Sequence, residues 1–377
     1  MRGAGLATAT GNLQRMFSLF RRIGLASAAG LGVLILLLGA GAWLQIRRAR
    51  TGTPLQTPVP SEAAAIEVFF TRPEEPGLRA GERALAALVQ ALDGARLSID
   101  VACYHVNLEE IGAALLRAQA RGVSVRLVTD DEQADEAVVQ NLVRAGLDVK
   151  DDARPTLMHH KFIVIDGSEV WTGSMNLTTG SVFHDDNNLL RLHSAELAAD
   201  FSGEFEEMFR EGRFGALSEP DTPFPQVDLD GTAVEVLFSP DDGVARRLVQ
   251  LIGEVDETVV VLAFAFTSDP LAEALLESQE RGVQVRGVIE RDQADAAGAE
   301  YFRLLGAGAD VRLDNSTGNL HHKVIILDEA TVVTGSYNFT RSAEQANDEA
   351  LLILHSPILA AAYLEEFDRL YADASPE

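Results

Sequence analysis

Between residues 66 and 375, the spacing of apolar residues switches repeatedly between two periods. Short apolar or alternating runs, such as Ile66-Glu-Val-Phe-Phe70 and the Val-rich run 123–128, predict β-strands. Longer stretches between them, such as 111–122, place apolar residues three and four positions apart and therefore predict helices with one apolar face. Strands that alternate with helices in this way indicate an α/β fold, in which helices cover a mainly parallel or mixed sheet on both faces.

The order of predicted elements occurs twice along the chain. The opening strand at 66–70 corresponds to one at 234–238, and the helix at 111–122 corresponds to one at 271–282 that also ends in Arg-Gly-Val. The other matched strands are 97–106 and 258–266, 123–128 and 283–289, and 189–192 and 351–354. The other matched helices are 83–93 and 246–256, 137–146 and 297–306, and the two helices that begin at Ser194 and Ser356. We therefore predict two tandem α/β/α halves, residues 66–214 and 233–377, joined by a linker at 215–232.

A strand, a turn and a second strand carry the same polar residues in each half. The first copy runs from Leu157-Met-His-His-Lys-Phe-Ile-Val-Ile-Asp166 to Gly173-Ser-Met-Asn176. Side chains alternate along a strand, so a histidine and a lysine two residues apart share a face. The repeated polar residues, all 162 positions apart, are His159 and His321, Lys161 and Lys323, Asp166 and Asp328, Ser174 and Ser336, and Asn176 and Asn338.

This doubled pattern, H-x-K-x4-D-x6-G-S-x-N, resembles the signature of the phospholipase D superfamily over residues 66 to 375. The resemblance implies that the two halves face each other across a pseudo-twofold axis and share one active site. One motif histidine would attack phosphorus and form a phosphohistidine, while the other would protonate the leaving alcohol; family precedent favours His159 as the nucleophile. The lysines Lys161 and Lys323 and the amides Asn176 and Asn338 would hold the phosphate, with Ser174 and Ser336 in support.

Acidic residues near each motif are expected to play different parts. The family carries an acidic residue after the second motif that orients a motif histidine, and Glu349 fits this position, so we expect it to bond to His321. At the same offset the first half has Asp185-Asp-Asn187, so His159 would face one of these three residues, with Asp185 as the acidic candidate.

The motif aspartates and the metal chemistry of the chain can also be judged from spacing. Asp166 and Asp328 lie at the opposite strand parity from the motif histidines, so we expect them to be structural turn residues. Neither a cofactor nor a metal is expected, because no third or fourth His, Cys or carboxylate lies at zinc-like spacing from the motif histidines.

The first 50 residues differ from the rest, since they contain seven Arg and no Asp or Glu. Residues 23–44 are 22 uncharged positions, which is long enough to cross a bilayer as a helix. We expect a basic segment at 1–22, a signal-anchor at 23–44 and a linker at 45–65, with the catalytic part outside the cytoplasm. The alternative is a signal peptide that is cleaved near Ala42, which would release a secreted protein.

Charge and motif together leave three functions open. All 57 Asp and Glu lie beyond residue 50, and such a surface repels nucleic acid and anionic membrane wherever no local basic site intervenes. We favour a membrane-anchored phospholipase D that hydrolyses a phospholipid headgroup ester. A nuclease is less favoured, although 335–344 resembles small bacterial nucleases and cardiolipin hydrolases, because a stripe of Lys or Arg with aromatics is missing from the sequence. The third candidate is a phosphatidyl transferase of the cardiolipin synthase type.

Overall fold

The computed structural model describes residues 64–72 and 80–375. The predicted basic segment, the predicted signal-anchor at 23–44 and nearly all of the first linker lie outside these residues. Within the described ranges, the helices are all too short or too polar to cross a membrane.

The first half is built on one seven-stranded mixed sheet, ordered β1-β7-β6-β5-β2-β3-β4. Strands β2, β3 and β4 are parallel to one another, whereas the remaining neighbours pair antiparallel. The strands are β1 (Ile66–Thr71), β2 (Ser98–Cys103), β3 (Ser124–Thr129), β4 (Asp148–Asp151), β5 (Lys161–Ile165), β6 (Glu169–Gly173) and β7 (Asn187–His193). The described helices are α1 (Ala80–Gly94), α2 (Glu109–Ala120), α3 (Ala137–Arg144), α4 (Thr179–Phe183) and α5 (Ala195–Glu206).

The second half repeats this sheet and adds an edge strand, in the order β12-β11-β10-β13-β14-β15-β9-β8. Its strands are β8 (Gln226–Leu229), β9 (Thr232–Ser239), β10 (Thr258–Ala263), β11 (Gln284–Ile289), β12 (Asp310–Leu313), β13 (Lys323–Leu327), β14 (Thr331–Gly335) and β15 (Glu349–His355). Its described helices are α6 (Val244–Gly253), α7 (Asp269–Glu280), α8 (Tyr301–Gly306), α9 (Arg341–Gln345) and α10 (Pro357–Asp373). Two mixed sheets covered by helices are the α/β architecture predicted from the apolar periods, so that prediction is confirmed.

Strand β8 and helix α8 are among the elements that differ from their sequence-based expectation. Strand β8 lies inside the predicted linker, where Val227 and Leu229 alternate with polar residues and turn buried side chains towards the core. Helix α8 begins at Tyr301 rather than at 297, because Gly298 has a φ of 82°, which a right-handed helix cannot contain.

An apolar cluster shared by both halves holds the two sheets together. Phe201 of α5 packs edge-on against Phe162 of β5, with ring centroids 5.0 Å apart, and against Phe238 of β9 in the other half at 5.1 Å. Tyr363 and Phe367 of α10 belong to the same cluster and are fully buried. Each sheet also packs its opposite face against a cluster made only of residues from its own half. The shared cluster therefore fixes how the motif strands of the two halves face each other.

The turn of each motif hairpin is tied to the start of a neighbouring strand by its aspartate. Asp166 has a φ of 51°, and its carboxylate accepts hydrogen bonds from the backbone N–H groups of three consecutive residues, 96, 97 and 98, at 2.7–3.1 Å. Asp328 has a φ of 48° and accepts from residues 256, 257 and 258 in the same way. Both aspartates therefore act at the hairpin turn, away from the motif histidines.

Replacing Asp166 with alanine is expected to lower the free energy of unfolding by about 1–3 kcal/mol, because backbone N–H groups lose their acceptor and alanine disfavours a left-handed φ. Chemical denaturation measures this change. Asp166→Asn is the matched control, since asparagine tolerates the same φ and keeps one acceptor oxygen, and it should lose less stability. Equal losses in the two variants would show that the carboxylate does not hold the loop.

Candidate active site

Each motif histidine lies where its own segment runs beside the start of the last strand of the opposite half. The backbone N–H of His159 donates to the carbonyl of Asp348 at 3.0 Å, immediately before β15. The backbone N–H of His321 donates to the carbonyl of Asp186 at 2.9 Å, immediately before β7. These two parallel bridges are related by the pseudo-twofold repeat and bring the two motif copies together.

The motif histidines and lysines form one buried cluster. His159, Lys161 and Lys323 are 6%, 3% and 1% exposed, and His321 is half-buried. Burial is the largest cause that lowers the pKa of both histidines well below the usual range, and the charges of both lysines add to it. Since each lysine acts on both rings, the four groups share one electrostatic environment, which favours the neutral form of both imidazoles.

The two lysines are held in matched positions by the backbone. Lys161 Nζ donates to the carbonyl of His159 at 2.9 Å, and Lys323 Nζ donates to the carbonyl of His321 at 2.8 Å. Burial lowers the pKa of Lys161 to about 8, and burial followed by the charge of Lys161 lowers the pKa of Lys323 well below its usual range. Two buried ammonium groups that destabilise each other make a strong site for an anion such as a phosphodiester.

The partners of the motif histidines are crossed relative to our expectation. His159 Nδ1 lies 2.7 Å from Glu349 Oε2, and His321 Nδ1 lies 2.8 Å from Asn187 Oδ1. The expected pairing of Glu349 with His321 is therefore wrong. The physical reason is the pair of backbone bridges: β15 opens beside His159 and β7 opens beside His321, so the first inward side chain of each strand meets the histidine of the other half.

Glu349 is a fully buried carboxyl group. Burial raises its pKa to about 7, against the opposing effects of Lys161, of a hydrogen bond from Ser336 and of Lys323. At this pKa the carboxyl group changes its charge near neutral pH, directly beside the imidazole of His159.

Asn187 belongs to a hydrogen-bond network that fixes its orientation. Its Nδ2 donates to the carbonyl of Ser181 at 3.1 Å, and the hydroxyl of Ser174 donates to its Oδ1 at 2.9 Å. The amide oxygen therefore faces His321 and can only accept a hydrogen bond. It follows that Nδ1 of His321 carries a hydrogen and that Nε2 is the free nitrogen of the neutral ring.

Two aromatic rings flank the cluster at matched positions, directly after β2 and β10. The Tyr104 ring lies 5.2 Å from the His159 ring, and the Phe264 ring lies 4.9 Å from the His321 ring. Each ring also faces the lysine of its own half, at 5.4 Å for Lys161 and 4.8 Å for Lys323. Sequence reasoning missed both residues, although each is an aromatic at the end of a predicted apolar strand in the repeated order.

Comparison with known proteins agrees with this geometry. A family model described as "Cardiolipin synthase, PLD-like domain" matches residues 88–209 and 248–371, which is more than half of the chain. The chain belongs to the phospholipase D superfamily. The resemblance drawn from the doubled motif is thereby confirmed.

Relatives within the phospholipase D superfamily include proteins named for lipid hydrolysis. A Xenopus laevis protein named mitochondrial cardiolipin hydrolase is 36% identical over 156 residues, which are 38% of this chain and 74% of the relative. A Rickettsia prowazekii protein named phospholipase D is 33% identical over 140 residues, which are 37% of this chain and 68% of the relative. With the family match, these relatives identify the chain as a phospholipase D-like phosphodiesterase.

Among solved structures, phosphatidylserine synthase from Haemophilus influenzae Rd KW20 aligns with a TM-score of 0.63. The alignment covers 83% of this chain and 88% of that one at 15% identity, so it shows the shared fold alone. Unlike the two relatives, which each span about two fifths of the chain, this alignment includes both phospholipase D-like halves.

The acidic candidate of the first half does not reach a motif histidine. The carboxylate of Asp185 accepts from the backbone N–H and the side-chain Nδ2 of Asn319, at 3.1 and 2.9 Å. Asp186 forms an ion pair with Arg369 instead. The proposed orienting role of Asp185 is therefore wrong, because Asp185 precedes the bridge at Asp186 and only the side chain after the bridge points to His321.

The motif serines and asparagines follow β6 and β14. Ser174 and Ser336 are fully buried, and each accepts a hydrogen bond from a backbone N–H of β7 or β15, at 3.0 and 2.9 Å. Among the described residues, the amide oxygens of Asn176 and Asn338 have no hydrogen-bond partner although both are buried. The serines thus brace the strands that carry Asn187 and Glu349, and each asparagine keeps an amide oxygen that can accept a further hydrogen bond.

One group of carboxylates among the described residues has a spacing that could hold a cation. Oxygens of Asp130, Asp131 and Asp152 lie within 4.8 Å of one another. Asp130 accepts from the backbone N–H of Met158 at 3.0 Å, and Asp152 accepts from Arg154 at 3.1 Å. These bonds give the buried members a structural function beside the first motif.

Proposed function

We propose that the protein hydrolyses the headgroup ester of a phospholipid through a phosphohistidine intermediate. The observation that carries this proposal is the crossed pair of histidines, each held at Nδ1 by a side chain of the opposite half, so that Nε2 is the nitrogen left for chemistry on both rings.

In the first step, Nε2 of neutral His159 attacks phosphorus and forms an N–P bond. The bond from phosphorus to the headgroup oxygen breaks, and this oxygen takes a proton from Nε2 of His321, whose imidazolium form the bound phosphodiester anion stabilises. The imidazole of His159 becomes positively charged, and the carboxylate of Glu349 stabilises this charge through Nδ1.

In the second step, neutral His321 accepts a proton from water at Nε2, and the water oxygen attacks phosphorus. The N–P bond breaks, which restores neutral His159 and releases phosphatidic acid. In both steps Lys161 and Lys323, with Asn176 and Asn338, bind the phosphoryl oxygens on which negative charge develops.

A lipid substrate is supported by the names of the relatives of this chain, and its charge disfavours nucleic acid. The chain has a formal net charge of −26, which disfavours a long polyanion such as DNA outside the lysine cluster. The relatives quoted above are named cardiolipin hydrolase and phospholipase D. An N-terminal signal-anchor at 23–44, with the catalytic part outside the cytoplasm, would hold the site at a bilayer; cleavage near Ala42 is the alternative.

A phosphatidyl transferase of the cardiolipin synthase type is the second candidate. The description of the matching family model supports it. The chemistry differs only in the second step, in which an alcohol replaces water as the acceptor of the phosphatidyl group.

The test incubates the full-length chain with vesicles that contain cardiolipin, phosphatidylglycerol, phosphatidylcholine or phosphatidylethanolamine, and separately with single-stranded DNA. We expect phosphatidic acid or its cardiolipin equivalent together with the free alcohol, and intact DNA. Added glycerol would give a phosphatidyl alcohol if the protein is a transferase. Cleavage of DNA without release of any lipid alcohol would overturn the proposal in favour of a nuclease, and the His159→Ala/His321→Ala double variant controls for contaminating enzymes.

Activity in this assay is expected to be independent of divalent metal. Lys161 and Lys323 already supply the positive charge that a phosphodiester needs, so EDTA should change the initial rate by less than about twofold. Complete loss of activity in EDTA that a divalent ion restores would contradict the metal-free mechanism.

A further inference from the structure

The matched positions 187 and 349 differ in charge. They are 162 residues apart, as are the motif histidines, and each side chain binds Nδ1 of the histidine in the opposite half. Glu349 offers a carboxyl group to His159, whereas Asn187 offers a neutral amide oxygen to His321. The surrounding lysines, serines and asparagines are identical in the two halves, so this pair breaks the pseudo-twofold symmetry next to the reacting nitrogens.

Asn187 makes more hydrogen bonds than a residue that only fills space in the core would make. Both atoms of its amide are used, since Nδ2 donates to Ser181 while Oδ1 accepts from Ser174 and from His321. Its backbone N–H donates to the hydroxyl of Thr71 at 2.8 Å. Asn187 is fully buried, so the imidazole of His321 is held by a rigid acceptor that carries no charge.

The other groups around His321 do not replace the missing carboxylate. The carboxylate of Asp186 is paired with Arg369, and Glu290 accepts from the backbone N–H of Leu320 at 2.7 Å. Glu349 bonds to His159 rather than to His321. The remaining groups that act on His321 are Lys323 of β13, Lys161 of β5 and the rings of His159 and His322, all of which disfavour its protonated form.

We propose that Asn187 is the positioning residue that makes His321 the proton donor of the reaction, because it fixes the Nδ1–H tautomer without stabilising the imidazolium. This inference rests on the proposed two-histidine mechanism and deepens it. A proton on Nε2 of His321 is released readily to a leaving alkoxide, because the ring gains no carboxylate partner when it is charged. His159 has such a partner in Glu349, which suits a ring that must carry positive charge while it is bonded to phosphorus. The site therefore binds a phosphodiester in one orientation only, with the leaving oxygen towards His321.

The first test reads the histidine itself and needs no turnover. In the full-length protein with ¹⁵N-labelled histidine, we expect the neutral ring of His321 to carry its hydrogen on Nδ1, because Asn187 Oδ1 can only accept. An Nε2–H tautomer of His321 would overturn the proposal whether or not the substrate class is correct.

The second test gives His321 a carboxylate. Asn187→Asp, and Asn187→Glu as the residue of the other half, should move the titration of His321 up by about one pH unit or more, since an anion beside an imidazole favours its charged form. The pH above which kcat/KM falls, the descending high-pH limb, should rise as well, because His321 then keeps its proton to higher pH. Asn188→Asp is the matched control, as Asn188 is equally buried but donates to His322, and it should leave this limb within about 0.3 units.

The outcomes separate the two proposals. A folded Asn187→Asp or Asn187→Glu protein in which neither the titration nor the limb moves, or moves no more than in Asn188→Asp, would show that residue 187 is only structural. If both variants fail to fold, the wild-type tautomer of His321 decides. Absence of phosphodiesterase activity in wild-type protein with the expected tautomer would instead reject the proposed function and leave the hydrogen bond from His321 to Asn187 intact.

Discussion

Replacing either His159 or His321 with alanine is expected to lower turnover by a factor of about 10³ or more, because each half supplies a single motif histidine and neither can take over the part of the other. The three apolar clusters that hold the fold are formed by other residues, so both variants should fold. Rates on a phospholipid, together with circular dichroism and thermal melting, measure the two effects separately.

Suitable controls are His193→Ala and His355→Ala, which remove a pair of repeated histidines outside the motifs. They end β7 and β15 and lie 3.7 and 3.1 Å from the carboxyl oxygens of Glu169 and Glu235, away from the lysine cluster. Both should keep most of the wild-type activity. A folded His159→Ala or His321→Ala protein that retains more than a few per cent of the rate would reject the shared two-histidine site.

The second large effect depends on the leaving group. His321→Ala should be severely impaired on a natural alkyl phosphodiester and partly rescued on a p-nitrophenyl ester, because a good leaving group departs without a proton. His159→Ala should be inactive on both substrates, since it lacks the nitrogen that forms the covalent bond to phosphorus. Glu349→Gln should lower the rate on both substrates by similar factors, less severely than His159→Ala, because Glu349 bonds to His159 and not to His321.

Trapping the covalent intermediate decides which of the two histidines attacks phosphorus. In the His321→Ala background, a phosphoryl-enzyme quenched in alkali should map to His159. A label on His321 in the His159→Ala protein would reverse the two assignments while leaving the two-histidine mechanism standing. Selective rescue of Glu349→Gln by the p-nitrophenyl ester would contradict the crossed pairing.

The sequence predicted the parts of the protein that depend on local pattern. Apolar periods and the 162-residue offset gave the two α/β halves, and strand alternation placed His159 and Lys161 on one face. In the structure His160, the residue between them, points the other way and lies 3.0 Å from Glu204. Turn preferences placed Asp166 at the hairpin. Each of these features is decided within a few residues of chain, where periodicity and turn chemistry act.

The partners of the histidines could not be predicted in the same way. Glu349 lies 190 residues from His159, and Asn187 lies 134 residues from His321, so their pairing depends on how the two sheets face each other. That arrangement comes from the shared aromatic packing of Phe162, Phe201 and Phe238, which a single sequence does not reveal. Reasoning within one half led instead to the wrong choice of Asp185.

The crossed contacts also bear on when the enzyme becomes active during its synthesis. Glu349 opens β15, which pairs with β14 on one side and β9 on the other. A nascent chain that has released the whole first half from the ribosome contains His159 and Lys161 but has neither the carboxyl partner of that histidine nor the second proton donor. The shared histidine cluster is therefore completed only when one of the last strands to be translated docks, so a partly synthesised chain has an incomplete site.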